Sequence, residues 1–185
     1  EITTFKHLKP LMNIKRIFYK GPVMVSYIIK KLNEINPNKL IGKTAIQKLT
    51  YLFIRESRGM NNILNYNFSL HYYGPYSDEL SSTLNFAEDK GLIDIKWEEG
   101  HGYVIKNKNN NFEELSSQEK CLLDKVIEKY GDYDKVIDLS IIATAFFIKD
   151  RYNVANEDLP TFINNVKPGL DLSYIKQVLE CINLI

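Results

Sequence analysis

The sequence predicts a mostly helical α+β protein: a winged-helix-like domain with a small antiparallel hairpin, followed by a C-terminal helical bundle. Three observations predict it. Apolar residues recur at helical spacing in two early segments, the period drops to two around residue 70 and again around residue 95, and helical spacing returns from Ser116 to the end. The chain has 185 residues, 44% hydrophobic and 25% charged, enough for one domain or two small ones. The longest uncharged apolar run covers ten residues, 139–148, too short to span a bilayer.

Residues 1–21 read as a basic and aromatic lead without a clear period, ended at Gly21-Pro22. Pro22 suits the first position of a helix, where its missing N–H costs nothing. Met24, Tyr27, Ile28, Leu32 and Ile35 then form an apolar stripe that Asn36-Pro37-Asn38 stops. A second helix opens near Lys43, with Ala45, Ile46, Leu49, Leu52 and Phe53 on one face. From residue 65 to 73 the alternation predicts a half-buried strand, with Tyr66, Phe68, Leu70 and Tyr72 on one side, and Gly74-Pro75-Tyr76 turns the chain. Ser77 is typed to cap the next helix, with Asp78 and Glu79 in its first turn and Gly91 after its end. Ile93, Ile95 and Trp97 alternate with polar residues, then Glu99-Gly100-His101-Gly102 leads into Tyr103-Val104-Ile105, a hairpin by pattern.

The polar run 107–111 is the natural linker, dividing a winged-helix-like domain (22–106) from a helical domain (112–185). Ser116 and Glu119 form a capping box that opens a helix closing at Gly131. Asp134 is placed to cap a more apolar helix carrying Leu139, Ile142, Ala143, Phe146 and Phe147. A short helix before Pro168-Gly169 and a last one from about Leu172 complete the chain.

The formal charge is only +1, yet it is unevenly spread. Residues 1–59 carry twelve basic and three acidic residues, and the remainder is acidic by eight. Such a chain either hides a phosphate-binding face behind a neutral total or packs its basic part against its acidic part. In the first case DNA or RNA is met by Lys15, Arg16, Lys20, Lys30, Lys43, Lys48, Arg55 and Arg58. The helix after Ser77 is too acidic to enter a groove in the usual winged-helix manner.

Catalytic and metal chemistry find little support. Gly42-Lys43-Thr44 resembles the end of a phosphate loop, but Pro37 stands where that motif needs glycine, and a helix rather than a strand precedes it. His7, His71 and His101 are scattered, and Cys121 and Cys181 lack ligand spacing, so no metal or cofactor is expected. The two cysteines predict a reduced, cytoplasmic setting and at most one disulfide. Ser77, His71 and Asp78 can be imagined as a triad, but no nucleophile elbow surrounds the serine and its capping role accounts for it. The reading is therefore non-catalytic.

His71-Tyr72-Tyr73-Gly74-Pro75-Tyr76 is the most distinctive segment. Its tyrosines serve either as a buried corner or as a contact surface for a protein partner, because tyrosine offers much contact area at small entropy cost.

Residues 42–52, Gly-Lys-Thr-Ala-Ile-Gln-Lys-Leu-Thr-Tyr-Leu, resemble the opening helix motif of the YwgA-like proteins of bacteria and archaea. The stretch 68–80 with its H-Y-Y-G-P-Y-S-x-E-L pattern, and Gly91-Leu92-Ile93, are similar to the same group. More distantly, the Q-K-L-x-Y helix and the Y-G-P turn resemble the Panacea domain of SocA-like antitoxins. That likeness implies action through protein contacts, by neutralising a toxin or delivering a partner for proteolysis, and it carries over no catalytic residues. The Panacea pattern has one aromatic before Gly-Pro, where this chain has Tyr72-Tyr73.

Overall fold

The structure, a computed structural model, describes residues 8–57, 64, 66–133 and 135–185, with side chains described from residue 19 onward. Helix α1 (Leu8–Ile35) and α2 (Lys43–Glu56) come first, then the short strands β1 (Ser69–His71) and β2 (Gly74–Tyr76). Helix α3 (Asp78–Asp89) and the hairpin β3 (Ile93–Glu98) and β4 (Gly102–Asn107) follow. Helices α4 (Ser117–Tyr130), α5 (Val136–Tyr152), α6 (Leu159–Val166) and α7 (Leu172–Cys181) make up the C-terminal part. The chain is mostly helical α+β, and the order of α1, α2, α3 and the β3/β4 hairpin is winged-helix-like, with the β1/β2 pair inserted between α2 and α3. Gly42, between α1 and α2, bridges Val104 of β4, and Ile105 N–H donates to the Ile41 carbonyl at 2.8 Å, so a single extended residue pair serves as a third strand beside the wing.

The first helix departs from expectation. It starts at Leu8 and runs through Gly21-Pro22 instead of beginning there. Pro22 costs the helix a hydrogen bond and about 3 kcal/mol. Burial outweighs that cost, because Val23, Met24, Val25, Ile28, Ile29 and Leu32 are all inside, against α2, α3, α4 and β4. Gly21 has its own reason: a Cβ there would lie 2.5 Å from the Tyr66 hydroxyl. The boundary expected after residue 21 therefore lies within one helix.

The second departure concerns the tyrosine segment. Only Ser69–His71 pairs as β1, and Gly74-Pro75-Tyr76, expected to be the turn, is itself a strand. The register Ser69↔Tyr76, Leu70↔Pro75, His71↔Gly74 leaves Tyr72-Tyr73 as a two-residue loop. Pro75 fits a strand here because its pair with Leu70 is the non-hydrogen-bonded one, and its carbonyl turns away from β1.

The caps follow the sequence. Ser77 Oγ accepts from Leu80 N–H at 3.2 Å, and the Ser116/Glu119 box is closed in both directions. Asp134 lies outside the described residues; the first turn of α5 is closed by Asp138, whose carboxylate accepts from Lys135 N–H at 3.0 Å. The polar run 107–111 is built from successive asparagine turns, Asn107 Oδ1 accepting from Asn109 N–H and Asn109 Oδ1 from Asn111 N–H. It does not separate two cores: one apolar cluster runs from Val23 to Leu184, and α2 packs against α4 and α5 as well as α1. Among the described residues no helix is long and apolar enough to cross a membrane.

Candidate interaction site

The tyrosine hairpin sits over α2 and α5, and its backbone is fastened to them by side chains. Lys48 of α2 donates to the Pro75 carbonyl at 2.8 Å. Lys167, just past α6, donates to the Tyr72 carbonyl and, at 3.0 Å, to Ser140 Oγ. Ser140 of α5 donates in turn to the Tyr73 carbonyl at 2.6 Å. Gln47 closes the far end in both directions, its Nε2 donating to the Ser77 carbonyl at 2.9 Å and its Oε1 accepting from Ser77 N–H at 3.0 Å. Gly74 makes this approach possible. Its φ is +90°, and a Cβ would stand 2.6 Å from Thr144 Oγ1 and 3.2 Å from the Ser140 carbonyl.

What the hairpin offers outward is side chain. Tyr72 and Tyr73 are 55% and 59% exposed, their rings edge to face with centroids 5.1 Å apart. His71 is exposed and lies against the Tyr76 ring, 4.9 Å between centroids, while Tyr76 donates to Ser81 Oγ at 2.9 Å. Gly74 and Pro75, expected to belong to the contact surface, are buried and act as its foundation.

The foundation is electrostatically unusual. Lys48 and Lys167 are each 1% exposed, and the groups named above, all neutral, are the ones their amines meet. Burial lowers the pKa of Lys48 from 10.5 to about 7, with the neighbouring Lys167 charge adding to the effect. Burial alone lowers Lys167 to about 8. Ser140 and Lys167 have the spacing of a nucleophile and its base. Both are buried, however, and the Ser140 hydroxyl is committed to a backbone carbonyl, so the pair orders the hairpin.

The alternative basic set is dispersed. Lys20 pairs with Glu119, and Arg55 with Asp150 at 2.9 Å and Glu56 at 2.9 Å. Lys30 lies over the Phe112 ring, Lys43 over the Tyr103 ring at 4.7 Å, and Lys48 is in the core rather than on a phosphate-facing surface. Arg58 and the side chains of Lys15 and Arg16 lie outside the described residues.

Sequence reasoning missed the two lysines. Lys48 was legible, since it falls on the same helical stripe as Ala45, Leu49 and Leu52. Lys167 was not, because nothing local marks a lysine between Val166 and Pro168 as buried. A second exposed aromatic pair also escaped notice: Trp97 and Tyr103 face each other across the wing with centroids 5.2 Å apart. Among the described residues no cluster of His, Cys, Asp and Glu could hold a metal ion, and both cysteines are exposed and free. No family model matches the chain and no curated protein matches it.

Proposed function

We propose that this chain is a non-catalytic, cytoplasmic regulatory or adaptor protein of antitoxin-like type that captures a protein partner through His71, Tyr72, Tyr73 and Tyr76. The observation that carries the reading is the division of labour in the hairpin: backbone immobilised from below, tyrosine rings presented above. A surface fixed in advance loses little entropy on binding, and tyrosine is enriched where protein contacts concentrate their energy. The polar face of α3, which begins with Asp78 and Glu79, continues that surface and favours a partner with basic residues beside its apolar contact.

The test compares the wild type with a Tyr72→Ala/Tyr73→Ala variant in affinity capture from cells that naturally make the protein. The expected result is a partner retained by the wild type at both about 50 and 200 mM salt and lost by the variant, since an apolar protein interface tolerates salt that several phosphate contacts do not. Identical captured sets would refute the assignment. Binding to duplex DNA or structured RNA that collapses over the same salt range would favour the nucleic-acid alternative.

A further inference from the structure

Beyond the hairpin, an open slot of about 280 Å3 lies where the C-terminal ends of α2 and α5 meet the segment that leads into β1. Four aromatic side chains, Tyr51, Tyr66, Phe68 and Phe147, line it. Tyr51 stands edge-on to Phe68, with centroids 5.3 Å apart, and is tilted against Phe147 at 5.9 Å. The slot is smaller than the roughly 300–1,000 Å3 of sites for drug-sized ligands and is suited to a single aromatic side chain.

The charged groups at the slot are unequally paired. Arg55 and Arg151 both line it, together with Asp150. Arg55 holds Asp150 through two hydrogen bonds, Nε to Oδ2 at 2.9 Å and Nη2 to Oδ1 at 3.3 Å, and its guanidinium lies over the Phe146 ring at 4.1 Å. Asp150 is thereby paired, and the same guanidinium also holds Glu56 at 2.9 Å. Arg151 is exposed, lies 5.8 Å from the Phe147 centroid, and makes no ion pair among the described residues. The result is an aromatic pocket with a guanidinium at its edge that no carboxylate among the described residues engages, and guanidinium matches a carboxylate in shape as well as charge.

The geometry points to a binding site for an aromatic residue that carries a carboxylate, its ring among Tyr51, Phe68 and Phe147 and its carboxylate on Arg151. The same chemistry is presented by the C-terminal residue of a polypeptide and by a free aromatic acid. The site is separate from the tyrosine hairpin and stands or falls independently of the partner assigned to that surface.

The test is a titration of the isotope-labelled full chain with N-acetyl-phenylalanine, followed by amide and side-chain chemical shifts. The expected result is saturable shifts at Phe68, Phe147 and Arg151 with millimolar affinity, and little response to N-acetyl-phenylalaninamide, which lacks the charge. Arg151→Gln, a change at an exposed residue, weakens binding about tenfold by removing a charge-assisted contact. Ile54→Trp fills the slot and abolishes binding. Two further probes distinguish the sources: 3-phenylpropionate binding as well as N-acetyl-phenylalanine identifies a free acid as sufficient, whereas a pentapeptide ending in phenylalanine that binds more tightly identifies a polypeptide C-terminus. Shifts confined to residues outside the slot, equal response to acid and amide, or unchanged affinity in Arg151→Gln would each overturn the proposal.

Discussion

Replacing Lys48 by methionine should flatten the pH dependence of stability, because this lysine is buried with no carboxylate among the described residues to balance it. Its folded-state pKa, about 7, lies well below the 10.5 of an ordinary lysine. Below about pH 7 the amine is protonated in folded and unfolded chain alike, and the fold bears the full cost of an ammonium whose named partner is the Pro75 carbonyl. Between about 7 and 10.5 the unfolded chain still binds the proton and the folded chain does not, so stability rises with pH. At about 1.4 kcal/mol per pH unit, the interval from 7 to 9 contributes about 2–3 kcal/mol. Lys167, at about 8, adds roughly 1–2 kcal/mol over the same range. The assay is urea unfolding of wild type and Lys48→Met at pH 6 and pH 9. Other groups titrate in that window but are common to both proteins, so the difference between the two pH dependences reports Lys48 together with its coupling to Lys167. Lys48→Met should lose about 2–3 kcal/mol of the wild-type rise. At pH 9 it should also be the less stable of the two, by about 1–3 kcal/mol, for the unsatisfied Pro75 carbonyl. Parallel profiles would refute the claim that Lys48 is desolvated in the fold.

Gly74→Ala should destabilise by about 2–5 kcal/mol, combining left-handed backbone strain with overpacking against Thr144, and Thr144→Ala in the same chain should recover only the overpacking part in urea unfolding. Thr50 is fully buried and its Oγ1 has no hydrogen-bond partner among the described residues, so Thr50→Val should stabilise by about 1 kcal/mol and raise Tm by about 2–4 °C. A fall in Tm by calorimetry would contradict that accounting. Tyr72→Ala/Tyr73→Ala should stay within about 0.5 kcal/mol per substitution of the wild type, since the removed rings are exposed and the hairpin is held by its backbone; a larger loss would mean that the rings support the fold.

Local chemistry made much of this fold legible. The stripe of α2, the Ser77 cap, the Ser116/Glu119 box and the hairpin of the wing each appear where the residues place them, because each depends on neighbours within a few positions. The start of α1 was not legible. Gly21-Pro22 carries every local mark of a stop, and only distant partners reverse it: Tyr66 against Gly21, Glu119 for Lys20, and a core that surrounds residues 23–32. The hairpin shows the same limit. Alternation puts Tyr72 on the inner side with Phe68 and Leu70, but the turn begins at Tyr72 and releases it outward. What places the turn there is the descent of Gly74 onto Thr144 and Ser140, a contact across about seventy residues of chain.

The uneven charge of the sequence has a corresponding structural account. Cations of the first third meet acids of the remainder across helix contacts, Lys20 with Glu119, Lys31 with Asp124 and Arg55 with Asp150. Lys48 is spent on a backbone carbonyl in the core, where a hydrophobic residue would serve stability better at neutral pH and below. A costly buried amine is reasonable if what it secures is position rather than stability. Without it the Pro75 carbonyl is orphaned, the β2 strand is held less firmly, and the two tyrosines lose the fixed geometry that lets a partner dock without ordering a loop. On that reasoning Lys48→Met separates two quantities that usually move together. Below pH 7 the variant gains stability by shedding the buried charge, while the Tyr72-Tyr73 loop gains mobility, visible as reduced amide order parameters and faster hydrogen exchange at Tyr73 and Gly74. A variant both more stable and equally ordered there would show that the lysine positions nothing.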